Sequence, residues 1–224
     1  MPNVSATLPT PPEAADALIV AGRRFYARGW VLGTSGNFSA VTCRDPLRLS
    51  ITASSVDKGA LDRSHILDID ETCALHGGRG NPSAETLLHL EIVRRRGAGA
   101  VLHTHSVWST LLSDSHGLDR GLAIEGYEML KGLDGVRTHA HREWVPIVAN
   151  DQDMTTLARI VGSTLNAHPD AHGILLQRHG LYTWGATLAD AVRHVEILEF
   201  LFETMGRTTA YRSRGGHHGT AQDS

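Results

Sequence analysis

The sequence has few cysteines and no long apolar run. Cys43 and Cys73 are its only two thiols, they lie far apart, and no CxxC pair occurs. The sequence therefore predicts neither a disulfide framework nor a thiolate metal site. No apolar run approaches the ~20 residues that a membrane-spanning helix needs. Residues 1–12 lack the charged and apolar regions of a secretory signal, so we expect a cytoplasmic protein.

An excess of positive charge is also absent. The chain has 21 Lys and Arg against 24 Asp and Glu, with a net charge of -3, and both signs are mixed along it. This pattern argues against a nucleic-acid-binding or membrane-binding surface. Histidine is abundant instead, with 14 residues. Because histidine is both a common metal ligand and the usual acid or base near neutral pH, this composition hints at a metal enzyme.

Helical and strand-like apolar spacing alternate through most of the chain. Strands interleaved with helices are typical of an α/β fold in which helices cover both faces of a sheet. We expect a flexible arm over residues 1–11, one domain over 12–212 and a disordered tail over 213–224 that holds His217 and His218. The spacing predicts helices over 12–28, 83–96, 106–113, 153–167 and 188–205, and strands over 38–42, 47–52, 66–69, 99–105, 145–148, 173–177 and 181–184.

Three histidines follow predicted strands. His103 and His105 end the strand over 99–105, and residues two apart on a strand point to the same face. His179 follows the strand over 173–177 and precedes Gly180. Three imidazoles from neighbouring strand ends, with one position left open, are typical of catalytic zinc. The alternative for each is an ordinary surface histidine. A further pair, His139 and His141, lacks a preceding apolar strand, and we interpret it as loop surface.

Two small polar loops are candidates for phosphate binding. Glycine lets the backbone approach a ligand closely, and the hydroxyl and amide side chains add hydrogen-bond donors. Lys58 follows the second loop and would add a positive charge. Most such loops are ordinary turns, so the composition alone is a weak signal. The candidate residues are Thr34, Ser35, Gly36 and Asn37 in the first loop, and Ser54 and Ser55 in the second.

Two glutamates are candidates for acid–base chemistry. Glu85 lies in the first turn of the helix predicted to begin at Ser83, where the helix dipole favours a carboxylate in any case. Glu128 lies in an ambiguous segment, Tyr127-Glu-Met-Leu-Lys-Gly132. Either could move a proton if the fold turns it toward the metal.

Taken in order, these motifs resemble the class II aldolase/adducin family over residues 13–206. The shared features are the His-x-His pair, the later Arg-His-Gly, the two polar loops and the element Pro82-Ser-Ala-Glu85, which adds Ser83 to the substrate-binding candidates. The resemblance implies a three-layer α/β/α fold with a central, largely antiparallel or mixed sheet. It also implies one zinc ion per subunit on His103, His105 and His179, a small phosphorylated ketose as substrate, and a homotetramer with sites near subunit boundaries.

Within this family, the chain is most similar to ketose-phosphate dehydratases. Four blocks carry this resemblance: 96–105, 127–132, 146–153 and 178–185. It implies that Glu128 is the acid/base, whereas aldolase members use the position of Glu85. Other interpretations stay open: a sugar-phosphate aldolase or epimerase, a non-catalytic adducin-like binding module, and an unrelated metallohydrolase.

Overall fold

The computed structural model describes residues 7–215, and the side chains of residues 7–212. Within this part of the chain, nine strands form one mixed sheet in the order β4-β3-β2-β1-β5-β9-β8-β7-β6. Only β7 and β8 are parallel neighbours there. The strands are β1 (Asn37–Arg44), β2 (Leu47–Thr52), β3 (Ile66–Asp70), β4 (Leu75–Gly77), β5 (Ala100–Thr104), β6 (Gly121–Glu125), β7 (Arg142–Val148), β8 (Gly173–Leu176) and β9 (Gly180–Gly185).

Helices cover both faces of the sheet, as the sequence predicts. On one face, α2 and α4 pack against β1, β2 and β5 through one apolar core. On the other face, α1, α3 and α5 enclose two further apolar clusters. The helices are α1 (Pro11–Ala27), α2 (Thr86–Arg96), α3 (Val107–Ser115), α4 (Met154–Ala167) and α5 (Leu188–Gly215). None of the helices in this described part is long and apolar enough to cross a membrane.

Helix ends follow local side-chain chemistry. Pro11 occupies the first turn of α1, after a capping box between Thr10 and Glu13. Ser106 caps α3 by accepting the backbone N–H of Ser109, and Asp153 caps α4 in the same way. These caps determine the residue at which each helix begins.

Several boundaries differ from the prediction. The prediction that Ser83 begins a helix is wrong, because α2 begins at Thr86 after Glu85. The predicted tail also starts too early, since α5 continues to Gly215. Residues 1–6 and 216–224, including His217 and His218, lie outside the described residues. The short strands β4 and β6, of three and five residues, were not predicted.

Strand directions define two ends of the sheet. β5 and β9 are antiparallel and pair His103 with Tyr182, so His103 and the start of β9 share one end. Three further residues lie at the same end. Leu176 of β8 pairs with the start of β9, Val148 of β7 pairs with Leu176, and Asn37 of β1 pairs with His103. We call it the site end. Glu125, at the close of β6, lies at the opposite end, which we call the far end.

Candidate metal centre and its surroundings

Three histidines meet at the site end of the sheet. His103 is buried on β5, His105 follows that strand, and His179 lies in the turn between β8 and β9. The Nε2 atoms of His103 and His105 are 2.7 Å apart, and the ring of His179 lies 4.5–5.0 Å from the other two. One nitrogen from each ring lies within 4.8 Å of the others. The structure therefore brings together the predicted ligand set, which we call the three-histidine cluster.

Gly180 allows this approach. A Cβ atom at Gly180 would lie 2.0 Å from the backbone oxygen of Thr104, a distance no side chain tolerates. Arg178, in the same turn, adopts a left-handed conformation with φ 57. The tight turn, and the absence of a side chain at Gly180, allow β9 to pair closely with β5. This pairing places His179 beside His103.

His103 presents a free ring nitrogen to the other two rings. His103 Nδ1 lies 2.9 Å from the backbone oxygen of Leu181, which can only accept, so Nδ1 carries the proton and Nε2 is free. Burial, followed by the neighbouring His105, holds the pKa of His103 well below its usual range. Burial and His179 lower the pKa of His105 to about 4. Neutral imidazoles oriented by an outer hydrogen bond are the form that binds metals, so this donor set fits a divalent metal ion.

Glu85 lies at the edge of the three-histidine cluster. Its Oε1 is 3.2 Å from His179 Nε2 and 3.9 Å from His103 Nε2. Burial alone would raise the pKa of this carboxyl. The hydrogen bond from His179, the nearby His103 and the amide of Asn37 outweigh burial and hold the pKa well below its ordinary value. Glu85 is therefore ionised throughout the neutral range.

A buried chain of hydrogen bonds holds Glu85 in place. Asn37 Nδ2 donates to Glu85 Oε2 at 2.6 Å, and Asn37 Oδ1 accepts from His89 Nε2. His89 Nδ1 then accepts from the Ser39 hydroxyl at 2.7 Å. Burial lowers the pKa of His89 to about 4, which keeps it neutral, as this arrangement requires. Asn37, predicted to bind phosphate, thus uses its side chain to orient Glu85.

Sequence reasoning missed three residues here. His89 lies one helical turn after Glu85 on α2, a spacing that could have indicated contact. Tyr182 stacks on His103 with ring centroids 3.9 Å apart, and Asn150 Oδ1 lies 3.4 Å from His179 Nδ1. Only the pairing of strands that are distant in sequence reveals these last two.

The predicted phosphate loops share a cavity with the metal centre. The loop after α1 and the loop after β2 meet the turn before α2 around a volume of about 180 Å³. Thr34 and Ser55 have left-handed backbones, with φ 85 and 60, a strain that often marks functional loops. The cavity is lined by Thr34, Ser35, Gly36, Asn37, Ala53, Ser54, Ser55, Ser83, Glu85 and His105.

Lys58 does not line this cavity. Its side chain is buried, and Nζ donates to the backbone oxygens of Thr34 and Val56 at 3.1 and 2.7 Å. Burial lowers the pKa of its ammonium group to about 8. Lys58 therefore stabilises the backbone of the first polar loop from the buried side, away from the cavity.

Glu128 lies apart from the three-histidine cluster of its own chain. It begins the 3-10 helix Glu128–Gly132, which follows β6 at the far end. Its carboxylate is 71% exposed, accepts from Lys131 Nζ at 2.6 Å, and lies 3.8 Å from His139 Nδ1. The hydrogen bond from Lys131 lowers the pKa of Glu128. One chain alone does not bring Glu128 to the metal centre.

Comparisons with known proteins give both sequence relatives and structural neighbours. Residues 16–205 match the model of the class II aldolase and adducin N-terminal domain. A methylthioribulose-1-phosphate dehydratase of Pseudomonas fluorescens (strain Pf0-1) is 44% identical, covering 91% of this chain and 97% of the relative. The enzyme of the same name from Methylococcus capsulatus (strain ATCC 33009 / NCIMB 11132 / Bath) is 47% identical, over 84% and 91%.

Solved structures match in fold. L-fuculose-1-phosphate aldolase from Thermus thermophilus superposes with a TM-score of 0.67 at 24% identity, covering 88% of this chain and 96% of that one. An aldolase II superfamily protein from Pseudomonas syringae gives a TM-score of 0.73 at 19% identity, over 91% and 78%. At this level of identity the match concerns the fold alone.

Proposed function

The chain belongs to the class II aldolase and adducin family, and from this we propose that it is a metal-dependent lyase. Its proposed reaction removes water from 5-methylthioribulose 1-phosphate and gives 2,3-diketo-5-methylthiopentyl 1-phosphate, a step of methionine salvage. Relatives with that dehydratase name cover most of the chain at 43–48% identity. The observation that carries the proposal is the shared cavity, where His105 and Glu85 adjoin the polar loops.

We propose that His103, His105 and His179 hold one zinc ion per subunit. Imidazole also suits other divalent metals, so the donor set by itself supports a divalent ion. When bound, such an ion supplies Lewis-acid polarisation of the ketose carbonyl. The protein contributes the fixed geometry: Leu181 orients His103, and Asn150 and Glu85 flank His179.

The two polar loops are proposed to bind the substrate phosphate. Their hydroxyls and backbone N–H groups surround the cavity beside the metal centre. Lys58 supports this role indirectly, because it ties the first loop to the second through the backbone oxygens of Thr34 and Val56. The proposed contacts are Thr34, Ser35, Gly36, Asn37, Ser54, Ser55 and Ser83, with Asn37 contributing through its backbone.

Glu128 is proposed as the acid/base that removes the C3 proton and assists loss of the C4 hydroxyl. The block that contains Glu128, residues 127–132, is one of those that resemble ketose-phosphate dehydratases, whereas Glu85 lies against His179 and His103, two of the proposed metal ligands. Glu128 lies at the far end of its own sheet. We therefore propose a homotetramer in which one subunit's Glu128 completes the site end of its neighbour.

A sugar-phosphate aldolase or epimerase is the second candidate. Its specific support is the position of Glu85, 3.2 Å from a proposed metal ligand. A non-catalytic binding module would not need the three histidines to converge, so their geometry counts against that interpretation.

Mass spectrometry of the products tests the proposal. Metal-loaded protein is incubated with 5-methylthioribulose 1-phosphate, beside an identical sample of the His105→Ala variant. The proposal expects a species lighter by one water, formed only by the wild type. Two smaller fragments would identify an aldolase, and unchanged substrate would reject the dehydratase assignment.

A further inference from the structure

A second cluster of potential metal ligands lies at the far end of the sheet. His141 and Glu143 flank the start of β7, and His172 directly precedes β8. Glu143 Oε2 lies 2.9 Å from His141 Nε2 and 3.0 Å from His172 Nδ1. His141 lies in the loop before β7, as predicted, but its side chain is only 28% exposed and its ring contacts the buried carboxylate of Glu143. We call these three residues the His–Glu–His cluster.

We propose that the His–Glu–His cluster is a second binding site for a divalent transition-metal ion. The chemistry of the three ligands supports this. Two imidazole nitrogens and one carboxylate are a common donor set for zinc and similar ions. Calcium and magnesium prefer sites made of oxygen atoms alone. The expected ligand is therefore an ion of the zinc, cobalt or nickel class.

The contacts of His172 require a proton or a metal ion between its Nδ1 atom and Glu143. His172 Nε2 lies 2.8 Å from the backbone oxygen of Asp134, which can only accept, so Nε2 carries a proton. Nδ1 faces the carboxylate of Glu143. A bare lone pair there would repel the carboxylate oxygen. Either a second proton or a metal ion must therefore lie at Nδ1.

The outer contacts resemble those of a built metal site. The carbonyl of Asp134 orients His172, just as the carbonyl of Leu181 orients His103. Glu143 Oε1 accepts the backbone N–H of His172 at 2.9 Å, which fixes the carboxylate and leaves Oε2 facing the two rings. Such outer hydrogen bonds to ligating histidines and carboxylates hold them in place for a metal.

The cluster also has access and room for further ligands. His141 and His172 line a cavity of about 500 Å³, together with Asp134 and His194. An ion could enter from this cavity, and water could complete its coordination. His194 is not a candidate ligand, because its Nε2 accepts the backbone N–H of Asp134 and its Nδ1 contacts the oxygen of Trp184.

A metal here would fix the segment that carries Glu128. Residues 126–141 connect β6 to β7. Within that segment His141 belongs to the His–Glu–His cluster, and the backbone oxygen of Asp134 contacts His172. A bound ion would link this segment to β8 through His172. The proposal itself does not depend on the enzymatic activity.

Titration of metal-free protein with Co²⁺ tests the second site. The wild type should bind two ions per chain, counted by calorimetry and by elemental analysis after gel filtration. His141→Ala should retain one tight ion and weaken the second by at least ~10-fold, the lower bound for loss of an outer-shell partner. The matched control His139→Ala removes the other histidine of the same His-x-His pair and should still bind two.

Two further measurements guard against misfolding and misassignment. His105→Ala should keep the ion at the His–Glu–His cluster, and Co²⁺ should still raise the melting temperature of that variant. Adding Glu143→Gln to His105→Ala, a change that keeps the side-chain volume, should abolish that rise. A wild type whose single ion is lost in His105→Ala, or a His141→Ala variant that binds two ions as tightly as the wild type, would overturn the proposal and leave a protonated His172 paired with Glu143.

Discussion

The three-histidine cluster and the His–Glu–His cluster lie at opposite ends of one sheet and handle charge in opposite ways. In the first, the rings face one another, and burial with neighbouring histidines lowers the pKa of His103 and His105. In the second, burial also opposes protonation, but the hydrogen bond to Glu143 outweighs it and raises the pKa of His172. In the metal-free chain, the position of the carboxylate therefore decides whether such a cluster presents neutral imidazoles or holds a proton that a metal ion would have to displace.

Two buried glutamates extend this contrast. Glu143 contacts two imidazoles, and although burial raises its pKa, the hydrogen bonds with His172 and His141 lower it overall. Glu199 lies on α5 behind the three-histidine cluster, where Thr104 donates to its Oε1 at 2.8 Å. Burial raises the pKa of Glu199 to about 7, and the nearby hydroxyls of Ser106 and Thr104 offset this only in part. Similar burial thus accompanies opposite pKa shifts, because Glu143 has imidazole partners whereas the partners of Glu199 are hydroxyl groups.

The largest expected effect comes from removing a ligand of the three-histidine cluster. His103→Ala should lose the metal at this cluster and lower turnover on the order of 10⁴-fold, which corresponds to several kcal/mol of lost Lewis-acid stabilisation. Elemental analysis and a steady-state assay measure both. His76→Ala, in an exposed pair with Asp70 near the sheet edge, is the control and should match the wild type. Full metal content in His103→Ala would show that His103 is not a ligand.

The next prediction concerns whether Glu128, at the far end of one chain, contributes to the metal centre at the site end of another. Glu128→Gln should keep its metal and lose at least ~10²-fold in turnover, the contribution expected of a positioned acid/base. Mixing the inactive Glu128→Gln and His103→Ala proteins, with subunit exchange, should restore part of the activity. Mixed oligomers would contain sites with an intact metal centre and an intact Glu128.

Two outcomes would contradict that arrangement. Near-normal turnover of Glu128→Gln would remove Glu128 from the chemistry. If Glu128→Gln is inactive but mixing restores nothing, although mass spectrometry detects mixed oligomers, Glu128 would have to act on the site of its own chain.

A smaller effect concerns stability and pH at Glu199. Its folded pKa lies above the ordinary value of 4.5, so its contribution to stability is fully present below about 4.5 and is lost as the pH rises through about 7. Between pH 5 and 8 the wild type should lose roughly 2–3 kcal/mol of unfolding free energy that Glu199→Gln does not lose. Urea unfolding of both proteins at the two pH values measures this. Parallel pH curves would mean that Glu199 titrates normally.

The smallest effect separates two roles of Asn37. Asn37→Ala removes the amide that holds Glu85, so we expect kcat to fall by about 10–100-fold, as for other outer-shell partners, with KM nearly unchanged. Steady-state kinetics with the phosphorylated ketose measure both constants. A raised KM with normal kcat would instead assign the Asn37 side chain to phosphate binding.

Much of this site is predictable from sequence because its signals are local. The i, i+2 spacing of His103 and His105 on an apolar strand is enough to place both rings on one face. Their convergence with His179 agrees with the prediction, as does the meeting of the two polar loops around one cavity. The metal ligands, the substrate contacts and the role of Glu128 stay predictions until tested.

Other features depend on contacts between distant segments. The buried state of Lys58 and the orienting role of Asn37 follow from how the loops fold back on each other, which no local pattern specifies. The edge strand β6 was not predicted. The position of Glu128 at the far end was therefore not predicted either, because it follows from the direction of β6 in the sheet.

Periodicity and spacing act within a few residues, and they were enough to specify the order of most helices and strands, the central sheet and the three-histidine set. Which groups face one another across the sheet depended on the tertiary fold. It paired Glu143 with two imidazoles, left Glu199 without a cation, and put Glu128 and His103 at opposite ends. The physical reason is that charge state depends on burial and on neighbours within a few ångströms, and strand register sets both.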